Sequence, residues 1–344
     1  MYHAMYSQKY HSIYLLRFWL LSLLSLTILI ILIGGLTRLT DSGLSITNWE
    51  LFVGFLPPLN NNDWIEYFNL YKKIPEFKEQ NFNMTLKEFK IIFWWEWVHR
   101  QLGRLIGLVS LLPMLFFSYK YGPWVIKKYG SIFILVCFQG FIGWYMVSSG
   151  LVDRVDVSHY RLSIHLTTAF LILSIIFWKF LKLTNVDTKE IPIKLALIKI
   201  FLLLLFLQLI FGAFVSGMDA GTIYNTWPLM GTTYFPNDSK FTEFFEINFF
   251  NDPSIMQFIH RNLAYIIFFY YFYLLFLILK NRIKFFYKPI LIIGFILFIQ
   301  IFLGVLTILS GVKIIYASLH QINSVFIILS TIYLLYISKF RKII

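Results

Sequence analysis

Eight times along this chain an apolar run reaches the roughly 20 residues that a helix needs to cross the hydrocarbon core of a bilayer, and nothing else in the sequence limits its folding as much. The runs lie at about 15 to 36, 92 to 117, 129 to 150, 161 to 182, 194 to 216, 255 to 279, 288 to 310 and 314 to 337. They predict an all-α polytopic membrane protein with eight transmembrane helices. Composition agrees: of 344 residues, 58% are hydrophobic and only 14% charged, with 38 Phe and 21 Tyr, which excludes a soluble globular domain.

Charge gives the orientation. With the N-terminus in the cytoplasm, the inner segments collect Lys9 and Arg17, then Lys120, Lys127 and Lys128, then Lys179, Lys182, Lys189, Lys194 and Lys199. They also collect Lys280, Arg282, Lys284, Lys288, Lys339, Arg341 and Lys342, with Asp187 and Glu190 as the only acids. This positive-inside pattern predicts both termini in the cytoplasm of a bacterial inner membrane. It accounts for the net charge of +13 without a nucleic-acid partner; the surface partner is membrane lipid. Cys137 is the single cysteine, so no internal disulfide and no thiol pair is expected. About 14 residues precede the first run, too few for an organelle transit peptide, and the first span reads as a retained helix. His3 and His11 of that opening tail are expected to stand apart from function.

The chain repeats itself. The first span exits through Gly34-Gly35-Leu36-Thr37-Arg38-Leu39-Thr40-Asp41-Ser42-Gly43, where paired glycines and a turn-forming Asp-Ser-Gly end the helix. A shift of 178 residues lays Gly34, Asp41, Gly43 and Trp49 on Gly212, Asp219, Gly221 and Trp227. A shift of 161 lays Gln139, Phe141, Gly143, Ser149 and Gly150 on Gln300, Phe302, Gly304, Ser310 and Gly311. The expected architecture is therefore two duplicated four-helix bundles, residues 1–190 and 191–344, in parallel orientation about an axis along the membrane normal. Residues 37–90 form a long outer loop, a length that usually marks a functional segment or lid.

Four of the seven histidines sit in the outer parts of the four even-numbered spans: His99, His165, His260 and His320. His99 and Arg100 recur as His260 and Arg261 at the 161-residue shift, and His165 recurs as His320 at 155. One turn beyond each, on the same helical face, stands a small residue: Gly103, Ala169, Ala264 and Ser324. Two facing imidazoles flanked by small side chains are how a helical bundle holds a haem. One pair per half predicts two sites, with facing ring nitrogens about twice the 2.0–2.1 Å metal–imidazole bond apart. The plainer alternative is four core histidines bonded to their neighbours; structural zinc lacks its usual thiolate or carboxylate co-ligands.

Ionisable groups this deep cost on the order of 2.5–3.5 kcal/mol each on insertion scales, so their placement carries meaning. Arg100, Arg104, Arg161 and Arg261 lie beside the histidines, where haem propionates would need fork-shaped donors; snorkelling to lipid headgroups is the simpler role. Glu96 precedes His99 by three residues, roughly on the same face, whereas the matching residue before His260 is Gln257. A carboxylate can take a proton or stabilise a developing cation, so reaction is expected in the N-terminal half and electron storage in the C-terminal half. An ion pair between Glu96 and Arg100 is the alternative that the spacing permits.

From about residue 30 to 325 the chain resembles haem A synthases of the alphaproteobacterial and mitochondrial type. The resemblance rests on the Gly34-to-Ser45 exit, on Glu96-Trp97-Val98-His99-Arg100, and on Gln139-Gly140-Phe141-Ile142-Gly143-Trp144-Tyr145-Met146-Val147. It continues through the segment from Ala213 to Gly221, Tyr224-Asn225-Thr226-Trp227-Pro228, His260-Arg261 and His320-Gln321. It implies oxidation of the C8 methyl of haem O to the formyl group of haem A, the prosthetic group of terminal cytochrome oxidase. It further implies haem b as cofactor on His260 and His320, haem O between His99 and His165, and Glu96 as the catalytic carboxylate. Haem O synthase, oxidase assembly factors and an electron acceptor or donor are the partners it suggests. Some members carry a cysteine pair in the first outer loop, which is lacking here. Two other classes are weighed beside it: a dihaem electron-transfer cytochrome without a substrate, which would tolerate Glu96→Gln, and a haem transporter or assembly scaffold, which would leave haem chemistry unchanged.

Overall fold

The computed structural model describes residues 2–49, 53–152, 154–184, 194–240, 242 and 246–339. The side chains of His3, His11 and Lys9, the segment holding Asp187, Lys189 and Glu190, the expected junction at 190, and Arg341 and Lys342 lie outside the described residues. The described residues form ten α-helices: α1 (Tyr2–Leu39), α2 (Asn61–Tyr71), α3 (Pro75–Glu79), α4 (Leu86–Tyr121), α5 (Trp124–Val147), α6 (His159–Leu181), α7 (Leu195–Gly217), α8 (Pro253–Lys280), α9 (Tyr287–Leu309) and α10 (Ile314–Lys339). All but α2 and α3 are long and apolar enough to cross a membrane, eight in number. This is an all-helical, multi-pass membrane protein.

Two compact units are present, residues 1–172 and 173–344, with α6 running from one into the other. In the first, α4 packs between α1 and α5. In the second, α7 packs on α8, α8 on α9, α9 on α10 and α10 back on α7, closing a four-helix ring. Duplication is consistent with the helix exits: Asp41 after α1 and Asp219 after α7 both take the left-handed conformation, with φ of 46° and 50°. Asp tolerates that region better than most residues because its short side chain can bond locally, and here the Asp41 carboxylate accepts from Arg38 Nη1 at 2.8 Å.

The outer loop is more ordered than its reading as a loop foresaw. Trp64, Phe68 and Tyr71, spaced four and three apart, give α2 one apolar stripe. That stripe packs on Phe89, Ile92 and Phe93 of α4, with Leu44, Ile46, Ile74 and Val157 completing the cluster. Burying side chains of this size is worth about 1.5–3 kcal/mol each, enough to fold the segment onto α4. α4 starts at a capping box, in which Thr85 Oγ1 accepts from Glu88 N and Glu88 Oε2 accepts from Thr85 N at 2.8 Å. At 36 residues it is about 54 Å long, well beyond the hydrocarbon thickness. Its first turns therefore extend beyond the membrane-spanning length, and His99 falls in its N-terminal half.

Glu76 of α3 is buried under this cap at 3% exposure, with Oε2 lacking a hydrogen-bond partner. Burial first, then the charges of Asp41, Asp156 and Glu96, push its carboxyl from an ordinary 4.5 to about 8, against the opposing pull of Arg38. The folded cap thus holds a proton that the unfolded chain releases above 4.5, so its stability falls as pH rises from that value to about 8 and is level above it. Thermal unfolding followed by tryptophan fluorescence should show that slope. Glu76→Gln should flatten it, and an unchanged slope in the variant would contradict the assignment.

Candidate functional site

Each of the four histidines is half-buried and rests against a glycine of the helix before it. A Cβ added to Gly34 on α1 would lie 2.8 Å from Cε1 of His99 on α4, and one on Gly143 of α5 would lie 3.0 Å from Cε1 of His165 on α6. The same holds for Gly212 of α7 against His260 of α8 at 3.0 Å, and for Gly304 of α9 against His320 of α10 at 2.9 Å. These glycines are seats: only a residue without Cβ lets the ring lie against the backbone.

In the second unit the rings of His260 and His320 are 6.4 Å apart between centroids, with their planes at 74°. Two metal–imidazole bonds of about 2 Å each, plus the half-widths of two rings, come to roughly 6 Å. One iron fits between them. In the first unit His99 of α4 and His165 of α6 each lie on their own glycine, Gly34 and Gly143. Gly103, Ala169 and Ala264 are half-buried and Ser324 is buried, one turn past the histidines. Among the described residues no group of three or more His, Cys, Asp or Glu could hold a bare metal ion. Pairs of imidazoles fit an iron that arrives with its own macrocycle, which supplies the remaining in-plane ligands. On these grounds the residues present fit haem.

Behind three of the imidazoles stands a carboxamide. Gln139 Nε2 lies 3.1 Å from His165 Nδ1 and donates to the His165 carbonyl at 2.9 Å. Gln208 Nε2 lies 3.3 Å from His260 Nε2 and donates to the His260 carbonyl at 2.9 Å. Gln300 Nε2 lies 3.3 and 3.4 Å from the two ring nitrogens of His320 and donates to its carbonyl at 3.0 Å. Asn323 Nδ2 in turn donates to Gln300 Oε1 at 2.7 Å. Each amide, tied to the histidine's carbonyl, packs against the ring and limits how it can turn, and His320 Nδ1 also lies 3.0 Å from the Gln300 carbonyl, an acceptor for its N–H.

Glu96 is 3% exposed and fully engaged. Oε1 accepts from Arg100 Nη2 at 2.6 Å and Nε at 3.0 Å, and Oε2 accepts from Ser45 Oγ at 2.7 Å and Ile46 N at 2.8 Å. Four donors fill the roughly four lone-pair positions of a carboxylate. The ion pair weighed from the spacing is therefore present, and it ties α4 to the chain leaving α1. Gln257 has the matching place in the second unit, buried, its Nε2 donating to the Tyr224 carbonyl at 3.1 Å.

Three of the arginines expected at propionates are bonded within the chain. Arg100 Nη2 also donates to the Ile46 carbonyl at 2.8 Å. Arg261, buried, donates to the carbonyls of Thr226 and Tyr224 at 2.8 Å each. Arg161 donates to the Tyr145 carbonyl at 2.6 Å and lies over the Tyr145 ring at 3.7 Å. Arg100 and Arg261 therefore do the same work in the two units, pinning the segment that follows the first helix of each. Arg104 stands one turn beyond Arg100 on α4.

Sequence reasoning paired the histidines but missed their supports. Gly34, Gly143, Gly212 and Gly304 were visible as repeat identities, not as seats. The thrice-recurring spacing of Gln and Gly four residues apart, at 139 and 143, 208 and 212, and 300 and 304, was the signal that could have found the carboxamides. Ser45 carried none, since a serine in a loop gives no hint that it will meet a carboxylate 51 residues later.

Fold and site together define a membrane protein with eight candidate spans among the described residues, in which four histidines rest on glycines and His260 and His320 stand ring to ring. A family profile described as cytochrome oxidase assembly protein matches residues 17–332. The "Heme A synthase" of Pelagibacter ubique is 49% identical over 323 residues, covering 93% of this chain and 96% of that protein. Those of Rickettsia bellii and Rhizobium rhizogenes are each 40% identical, covering 88% and 91% of this chain and 92% and 86% of their own lengths. The chain belongs to the haem A synthase family.

Proposed function

We infer that this chain oxidises the C8 methyl group of haem O to the formyl group of haem A for terminal cytochrome oxidase. Haem O is held between His99 and His165 in the N-terminal half, residues 1–190, and haem b is the resident cofactor between His260 and His320 in the C-terminal half, residues 191–344. The observation that carries the reading is the pair of matched imidazole seats that differ in one nearby residue, Glu96 in one half and Gln257 in the other.

Converting a methyl to a formyl group with oxygen taken from water removes four electrons and four protons from substrate and water. A haem held by His260 and His320 supplies a one-electron redox couple for an acceptor protein or quinone-like carrier. The chain's own residues do the rest. His99 and His165, seated on Gly34 and Gly143, fix the porphyrin plane, and Gly103, one turn past His99, leaves room for it against the backbone. Glu96, with its lone pairs filled by Arg100, Ser45 and Ile46, acts through its charge, stabilising the positive charge that develops as the methyl carbon loses electrons. Arg104, together with the N–H groups that Arg100, Arg161 and Arg261 do not spend on carbonyls, reaches the propionates. The positive-inside pattern supports an inner-membrane setting with both termini cytoplasmic, where haem O synthase and oxidase assembly factors are the expected neighbours.

The test is pigment extraction from membranes that express this chain together with a source of haem O. A formyl-bearing haem is expected. Unchanged haem O, with two permanent haems on the purified protein, would instead make it an electron-transfer cytochrome.

A further inference from the structure

Three imidazoles are held from behind and one is not. The carboxamides of Gln139, Gln208 and Gln300 each stand four residues before the glycine that seats a histidine, and each bonds that histidine's carbonyl while lying against its ring. Gly34 seats His99 in the same way, but four residues before it stands Ile30. The repeat puts Ile30 in register with Gln208, and the structure puts its Cδ1 3.8 Å from where a Cβ on Gly103 would be, one turn past His99. Ile30 thus faces the right stretch of α4 with nothing to donate. His99 Nδ1 is buried without a hydrogen-bond partner. His260 Nδ1 is also without one, but that ring has Gln208 at its other nitrogen.

We propose that Ile30 leaves His99 as the more weakly held ligand of the pair with His165, so that exchange of haem in the N-terminal half begins with dissociation at His99 and is completed by release from His165. This deepens, and rests on, the reading that His99 and His165 bind substrate. A cofactor stays for many turnovers and is served by two fixed rings. A substrate must be exchanged for every product, so both of its iron ligands have to let go, and exchange is quicker when one of them is held loosely enough to go first. An imidazole with no side chain tied down against its ring turns more freely than one that is so held, and partners beyond the first ligands are typically worth 10–100-fold in metal affinity. Hydrophobic packing of Ile30 beside Gly103 keeps the helix contact without restoring that hold.

The experiment is haem release from the purified full-length protein, loaded with haem, into excess apomyoglobin, followed by absorbance. Wild type should show a fast phase from the N-terminal half and a slow one from the C-terminal half. Ile30→Gln should slow the fast phase by about tenfold or more, within the range for outer-shell partners, and leave the slow phase alone. Gln139→Leu should quicken the fast phase, and Gln300→Leu the slow one. External cyanide or imidazole should bind the N-terminal haem of wild type more readily than that of Ile30→Gln. A fast phase unaltered by Ile30→Gln in protein that keeps its slow phase would overturn the proposal. If Ile30→Gln loses both phases through misfolding, Gln139→Leu decides alone, and an unaltered fast phase there overturns it. Haem A formation by the wild type, measured separately, shows whether the proposed function or only this refinement has failed.

Discussion

Glu96→Gln is expected to lower haem A formation by about 10²-fold or more, the scale on which removing one preorganised electrostatic partner acts, while leaving the C-terminal haem in place. The substitution is close to isosteric, and the other half of the chain carries glutamine at the matching position, Gln257. An amide at 96 can still accept from Ser45 Oγ and Ile46 N, which now bond Oε2 at 2.7 and 2.8 Å, so the outer segment keeps its anchor. What is lost is the charge, and with it the acceptor for Arg100 Nε and Nη2, because the amide NH2 that replaces Oε1 can only donate. Glu96→Ala also abolishes product, but it leaves the Arg100 guanidinium without its buried partner, a defect that costs about 3–5 kcal/mol. The glutamine variant keeps the Ser45 and Ile46 bonds that alanine loses, and retention of its C-terminal haem reports that it is folded. Haem analysis of the purified variant, with product quantified from the same cells, checks both parts. Normal haem A in Glu96→Gln would remove the carboxylate from the mechanism.

A second large effect is expected from a single methyl group. Gly212→Ala or Gly304→Ala places a Cβ 3.0 or 2.9 Å from Cε1 of His260 or His320, closer than carbon atoms pack without something moving. The ring must move or the helices must part, and either change spoils a pair whose centroids are 6.4 Å apart. The expected result is loss of most of the C-terminal haem, read as the haem-to-protein ratio after purification. Gly143→Ala should likewise weaken the N-terminal site. Gly140→Ala, on the same helix with nothing within 4 Å of its Cβ, is the matched control and should bind haem normally. Equal haem content in Gly140→Ala and Gly304→Ala would show that the seats are incidental.

Much of this was readable from the residue order alone. The eight spans emerge because membrane insertion is governed by segment length and apolarity, which are local properties; α8, for example, runs from Pro253 to Lys280 against an expected 255 to 279. The histidines were readable because a polar group in such a helix demands a reason, and the repeat supplied the pairing. What stayed hidden depends on contacts between distant segments. α2 and α3 were missed because 11 and five residues make no membrane signal, and their apolar stripe matters only once α4 offers Phe89 and Phe93 to pack on. Ser45 and Ile46 meet Glu96 across about 50 positions, a meeting that no periodicity predicts. Arg100 and Arg261 looked like propionate donors because a guanidinium in an apolar helix suggests an anionic ligand; carbonyls of the following loop proved to be a partner of comparable geometry. Glycine and glutamine at four-residue spacing were in view throughout, but their sense came only from the rings set against them.

The most direct measurement is the haem content of four purified single variants, His99→Ala, His165→Ala, His260→Ala and His320→Ala, with haem b and haem A separated by extraction. His260→Ala and His320→Ala should lose haem b. His99→Ala and His165→Ala should keep haem b at the wild-type ratio yet yield no haem A. Equal loss of haem b from all four, or full haem b in His320→Ala, would contradict the division into a substrate pair and a cofactor pair.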